Sequence, residues 1–212
     1  MHPGYLSNAY LVADEEGGAA VFVDSGAPID PLLAAAERWR VTPVAVLRTH
    51  GHHDHVEHES ELRLPVVTGP LTAGGLTVEA IPTPGHSDDM VCFVVGGELV
   101  FSGDTLFKDS IGGGNLEQVK RSVMDVFMAM PHERRLLPGH TDETTIGREW
   151  EENPFVTFWR GTTPSLGEAV RVGGEAAELV VWSPDYDGKG KALVRFGDGR
   201  EAIVGGSRVE RG

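Results

Sequence analysis

The sequence predicts an α+β chain: a sandwich of β-sheets with helices outside it, followed by a small β-rich extension. Three observations carry this. Short strand-like runs dominate the first two-thirds, with only two helical stretches among them. Motifs of glycine with histidine or aspartate follow the ends of those runs repeatedly, as at a site built along one sheet edge. After about Gly161 the histidines have ended and hairpin-like patterning takes over.

Taken in order, Asn8 to Ala13 and Ala19 to Val23 read as strands around the turn Glu15-Glu16-Gly17-Gly18. Asp30-Pro31 opens a helix through Arg40, with aspartate as its cap and proline in its first turn. Pro43 to Thr49 is β-rich and leads into a polar, histidine-filled loop. Leu76 to Ile81, Met90 to Val95 and Leu99 to Ser102 are further strands. Leu116 to Met130 places Val119, Val123, Val126, Phe127 and Met130 at helical spacing. Arg135 to Leu137 is a last short strand before Pro138-Gly139-His140. In the tail, Leu179 to Trp182, Ala192 to Phe196 and Ala202 to Val204 alternate as strands across glycine-rich turns. The expected division is therefore residues 1–160 for the main unit and 161–212 for the extension. The tail holds no metal-ligand cluster, so it reads as separable from the chemistry.

The formal charge of −14, from 18 Lys plus Arg against 32 Asp plus Glu, repels phosphate backbones and anionic membranes. Nucleic acid and membrane are thereby excluded as expected partners, which leaves a small-molecule substrate. Oligomeric state has no signature. A single cysteine, Cys92, permits no internal disulfide, and the opening Met1-His2-Pro3-Gly4-Tyr5 has no leader-like pattern; the expected compartment is the cytoplasm.

The chemistry is concentrated in Thr49-His50-Gly51-His52-His53-Asp54-His55. On an extended strand end, residues 50 and 52 leave the same side. After a change of direction, Asp54 and His55 can address a second position nearby. Imidazole nitrogen with carboxylate oxygen suits zinc, manganese or iron. Pro84-Gly85-His86, Ser102-Gly103-Asp104 and Pro138-Gly139-His140 each follow a strand with glycine beside the candidate ligand. A histidine-rich surface tract would not be accompanied by three such segments.

These strings resemble the signature of the metallo-β-lactamase superfamily, and most closely its hydroxyacylglutathione hydrolase (glyoxalase II) branch. The resemblance covers about residues 5 to 158. It includes Asp24-Ser25-Gly26, Gly103-Asp104-Thr105-Leu106-Phe107, Thr144-Thr145-Ile146-Gly147 and Asn153-Pro154-Phe155. It implies an αββα sandwich holding two divalent ions, with zinc preferred to iron or manganese. The first ion would sit on His50, His52 and His86, the second on Asp54, His55 and His140, with Asp104 bridging. Asp54 and Asp104 would be the carboxylates of the catalytic centre. The implied reaction is hydrolysis, of a thioester in that branch, by a metal-bridging hydroxide available at a pKa of about 7. The same ligand string also resembles mononuclear-iron persulfide dioxygenases and lactonases. The β-rich tail departs from the helical C-terminal domain of glyoxalase II, so the resemblance speaks for hydrolysis rather than for glutathione as the carrier.

Other residues have plainer readings. His53 is expected to face away from the metals, and His2, His58 and His132 to be surface histidines. Gly112-Gly113-Gly114 lacks the lysine-serine ending of a phosphate loop and reads as a flexible loop near the site. Cys92, Trp150, Phe155, Phe158 and Trp159 read as packing residues.

Overall fold

A computed structural model describes all residues, 1–212. Alternation along the strands sorts side chains onto two faces and so builds the layers. The first sheet has the order β1 (Tyr10–Ala13), β2 (Ala19–Val23), β3 (Thr42–Leu47), β4 (Val66–Val67). Helix α1 (Asp30–Trp39) makes the crossover that lets β2 and β3 run parallel. Asp30 is the first helical residue rather than the cap expected of it. The cap position is Ile29, with no side-chain bond, and the carboxylate instead faces the positive end of the helix dipole.

Strands β5 (Leu71–Ala73), β6 (Leu76–Pro82), β7 (Val91–Val95) and β8 (Leu99–Gly103) belong to the second sheet. A short hairpin of β9 (Leu106–Phe107) and β10 (Ser110–Ile111) follows. Strands β11 (Arg135–Pro138) and β12 (Thr144–Thr145) then complete the sheet, which runs β12-β11-β8-β7-β6-β5. Val21, Val23, Ala45 and Leu47 of the first sheet meet Phe93, Val95, Phe101 and Leu137 of the second. On the far side of β7, Cys92 and Val94 face outward and pack with Val119, Val123, Phe127, Ile146 and Phe155. Across the first sheet, Ala20 packs with Ala36 of α1 and with Val41. Helix, sheet, sheet and helix give the αββα order.

The helical stretch expected over Leu116 to Met130 is present but changes pitch. It is α-helical over Leu116–Arg121, a π-turn over Ser122–Val126 and 3-10 over Phe127–Ala129. Val119, Val123 and Phe127 are fully buried at intervals of four. An ideal α-helix overshoots by about 40° every four residues, and the wider π-turn keeps this row on one face.

Two further helices, Ile146–Glu152 and Pro154–Trp159, close the outer layer. Asn153 caps the second, its side chain accepting from the Phe155 and Val156 N–H groups, with Pro154 in the first turn. Phe155 is fully buried, and Trp150, Phe158 and Trp159 pack against the same cluster, as packing residues should.

The tail forms a five-stranded sheet, starting at Glu168, with β13 (Glu168–Val172), β14 (Glu175–Ser183), β15 (Lys191–Phe196), β16 (Glu201–Gly205) and β17 (Val209–Arg211) in the order β16-β15-β14-β13-β17. One face has its own core of Val170, Val172, Leu179, Ala192, Val194 and Phe196. A register shift between Leu179 and Val181 lets both Val180 and Val181 join Leu193 in the core behind the second sheet. Through these three residues the tail shares the core behind the second sheet.

Candidate metal centre

Strands β2, β3, β6, β8 and β11 all deliver their carboxyl ends to one edge, and the candidate ligands sit just beyond them. The chain stays extended at His52 and then enters a helical turn over His53–Val56. The loop expected there is thus partly a helix. That turn redirects Asp54 and His55 toward a second position, while His53 is left largely exposed beside Glu57.

All seven expected residues come together, as three overlapping clusters: His50, His52, His86; His50, His55, Asp104; and Asp54, His55, His140. In the first, His52 Nδ1 lies 3.0 Å from His50 Nε2 and 2.9 Å from His86 Nε2. Hydrogen-bond partners fix which nitrogens are bare. Thr49 Oγ1 donates to Asp24 Oδ2 at 2.8 Å, so at 3.1 Å it accepts from His50 Nδ1. His86 Nδ1 donates to the Gly113 carbonyl at 3.0 Å. Both rings are left with an Nε2 lone pair aimed at the centre. Converging lone pairs repel one another, and a cation at their focus removes that cost.

The second cluster is more deeply placed. His55 Nδ1 donates to Asp24 Oδ2 at 2.8 Å, turning Nε2 inward to 3.3 Å from Asp104 Oδ1 and 3.6 Å from Asp54 Oδ2. His140 Nε2 stands 3.4 Å from Asp54 Oδ2 and 3.3 Å from Asp104 Oδ2. Asp104 Oδ2 also lies 3.6 Å from His86 Nε2, so this one carboxylate touches both clusters. His55 Nε2 and Asp104 Oδ1 are buried without a hydrogen-bond partner. Their contact is an ion-pair distance, not a formed hydrogen bond. Orphaned donor atoms of this type, around an imidazole–carboxylate set, fit divalent metal.

The two clusters differ electrostatically. Burial and the neighbouring His55 charge pull His50 down to about 4. His86 is also lowered, chiefly by burial. Burial opposes charge on His55 too, but the Asp24 carboxylate and the Asp104 contact outweigh it and push the ring up to about 11. His140 is raised to about 9 against burial by Asp104 and Asp54. Burial likewise opposes ionisation of Asp104, yet His140 and His55 hold it well below the usual carboxylate range. Burial thus disfavours charge on His50 and His86, whereas the carboxylates around His55 and His140 favour positive charge, from protons or from a metal.

Asp24 is the residue the sequence undersold. The resemblance marked its turn without a role, yet its buried carboxylate accepts from Thr49 N, Thr49 Oγ1 and His55 Nδ1 at once. A Cβ on Gly26 would meet the Asp54 carbonyl at 1.5 Å, and one on Gly139 would meet Asp104 Oδ1 at 2.2 Å. Those glycines admit the ligand segments. The triglycine also has a definite job: Gly113 orients His86, and a Cβ on Gly112 would strike the Asp104 carbonyl at 1.8 Å. Glu149, fully buried, accepts from Asp109 N, Thr144 Oγ1 and Asn153 Nδ2 and so braces the loops flanking Asp104 and His140. A surface depression of about 590 Å³ lined by Tyr10, Trp39 and Phe101 includes none of the seven residues, so volume is a poor guide to this site. Access is instead over His52, the exposed member of the first cluster.

No protein-family model matches the chain. TTHA1623, solved in a di-iron-bound form, is 31% identical, with 73% of this chain and 98% of that one covered and a TM-score of 0.60. The BLEG-1 B3 metallo-β-lactamase is 27% identical over 73% of this chain and 96% of its own, with a TM-score of 0.66. The chain belongs to the metallo-β-lactamase superfamily. Also similar are ETHE1 from Myxococcus xanthus, 28% identical over 72% of this chain and 80% of that one with a TM-score of 0.64, and the probable metallo-hydrolase YqgX of Bacillus subtilis, 29% identical over 71% and 92%. Each likeness leaves more than a quarter of this superfamily member unmatched. No helix is long and apolar enough to cross a membrane.

Proposed function

We propose that this chain is a metal-dependent hydrolase with two divalent ions, zinc in preference to iron or manganese, acting on a thioester as glyoxalase II does. The observation that carries the reading is Asp104, whose single carboxylate reaches His86 of one cluster and His55 and His140 of the other. His50, His52 and His86 would hold one ion, Asp54, His55 and His140 the second, with Asp104 shared. Such ions, when bound, lower the pKa of water to about 7 and polarise a carbonyl.

The chain's own residues do the positioning. Asp24 sets the tautomer of His55 directly and that of His50 through Thr49. Gly113 sets His86. Burial of His50, His55, Asp104 and His140 keeps bulk water from competing for those donors, while exposed His52 marks the side from which a substrate approaches. No side-chain nucleophile is required. Cys92 is buried in the core, where desolvation pushes its thiol pKa up. A thioester suits this centre because a thiolate, its thiol pKa about 8.5, leaves without a general acid. The cytoplasm, a small-molecule substrate and the division of the chain near residue 160 belong to the same proposal.

The structural likeness to ETHE1 keeps a second reading in play, a one-iron persulfide dioxygenase. Metal analysis of protein purified without added metal, with parallel thioester and persulfide assays, separates the two. Two ions with thioester turnover supports the hydrolase. One iron, with oxygen consumed on persulfide, supports the alternative.

A further inference from the structure

The candidate ligand rings are not all held in the same way. His50, His55 and His86 each donate Nδ1–H to an oxygen, of Thr49, Asp24 and Gly113 respectively. His140 has no such partner: its Nδ1 is buried and unbonded. Its ring is held by faces and edges instead. Tyr186 lies flat against it, 3.9 Å between centroids and 10° between planes. Phe107 presents an edge at 5.6 Å and 90°, and meets Tyr186 in the same fashion at 6.0 Å.

Tyr186 comes from the tail, on the loop between β14 and β15, and the loop is braced. Asp185 pairs with Lys191 at 2.9 Å and accepts from Gly188 N at 3.0 Å through its carbonyl. Buried Ser183 Oγ lies 3.0 Å from Ser110 Oγ, tying the start of the loop to the hairpin that carries Phe107. A stacked ring cannot swing about its Cβ–Cγ bond without losing contact over its whole face. That contact supplies the restraint that an Nδ1 hydrogen bond supplies at His50, His55 and His86.

We propose that Tyr186 is a positioning residue for His140, so that the appended sheet is a working part of the second metal position. The inference rests on the two-ion reading above. It follows that loss of the Tyr186 ring is felt selectively: the first cluster keeps its own hydrogen bonds, and the second loses the aim of His140. The phenol oxygen is not needed for this, only the ring.

The test uses the full chain stripped with a chelator, then titrated with Zn²⁺ against a chromophoric chelator, for wild type, Tyr186→Ala, Tyr186→Leu and Tyr186→Phe. Outer partners of metal-bound histidines are typically worth about 10–100-fold in metal affinity. A loss of that size is expected for the second Zn²⁺ equivalent in the Ala variant, with the first equivalent unchanged and the Phe variant matching wild type. Metal-free unfolding midpoints are measured alongside, because a merely structural role would lower the midpoint and leave the two affinities in their original ratio. If the Ala variant does not fold, the Leu variant decides, since it keeps apolar volume without a ring. Equal losses at both equivalents, or none at either, would overturn the proposal. A wild type that takes up only one equivalent would instead overturn the two-ion reading itself.

Discussion

The two halves of the candidate metal centre both use histidine, yet the rings sit in opposite electrostatic surroundings. Burial disfavours charge on His50 and His86, whose rings are held by a hydroxyl and a carbonyl beside the exposed His52. His55 and His140 are buried among Asp24, Asp54 and Asp104, which draw protons onto them. Their surroundings, not their identity, set the charge each half will accept. On the two-ion proposal, the first half is preformed for a cation. The second must exchange protons for one.

The strongest break of this picture is at the first half. His52→Ala or His86→Ala is expected to remove the first ion and to lower hydrolysis by more than the roughly 100-fold that a lost outer partner can cost. The fold should survive, because both side chains stand beyond strand ends and outside the core clusters. Circular dichroism with metal equivalents per chain checks both statements, and full activity at wild-type stoichiometry would refute the assignment.

Asp104→Asn acts on the link between the halves. An amide cannot neutralise charge between two cations, so the variant is expected to retain some metal but lose the coupled pair and most turnover. Unchanged metal count and rate would show that Asp104 does not bridge.

Asp24→Asn is expected to be milder and skewed toward the second half. It leaves His55 without its charged acceptor, whereas His50 feels the change only through Thr49. An affinity loss of about 10–100-fold at one equivalent is the anticipated size. Metal titration of the purified variant measures it.

The smallest effect sharpens the contrast most directly. At pH 7, rings raised to about 9 and about 11 carry protons that they must release before they can ligate. His50, lowered to about 4, is already neutral. Filling the second half should therefore release protons and tighten as pH rises toward that range. The first half gives none from His50. Calorimetric titration with metal in buffers of different ionisation enthalpy counts them.

The candidate ligands could be proposed from sequence because metal chemistry restricts residue type, and the fold brings them together. His86, Asp104 and His140 each follow a glycine near a strand end, and close approach at Gly139 leaves room for no Cβ. Strand alternation at Cys92, Phe93, Val94 and Val95 likewise announces a layer buried on both sides. Asp24 was legible only as a turn, since the donors to its carboxylate come from 25 and 31 residues along the chain.

Sequence by itself determined the residues that can carry this chemistry and the sandwich that gathers them. Periodicity and ligand type are local properties that survive in one dimension. Tertiary structure alone decided three things: the charge of each half, the sharing of the main core with Val180, Val181 and Leu193, and the stacking of Tyr186 on His140. Each depends on desolvation or on contact between segments distant in the chain. Neither leaves a pattern in the order of residues.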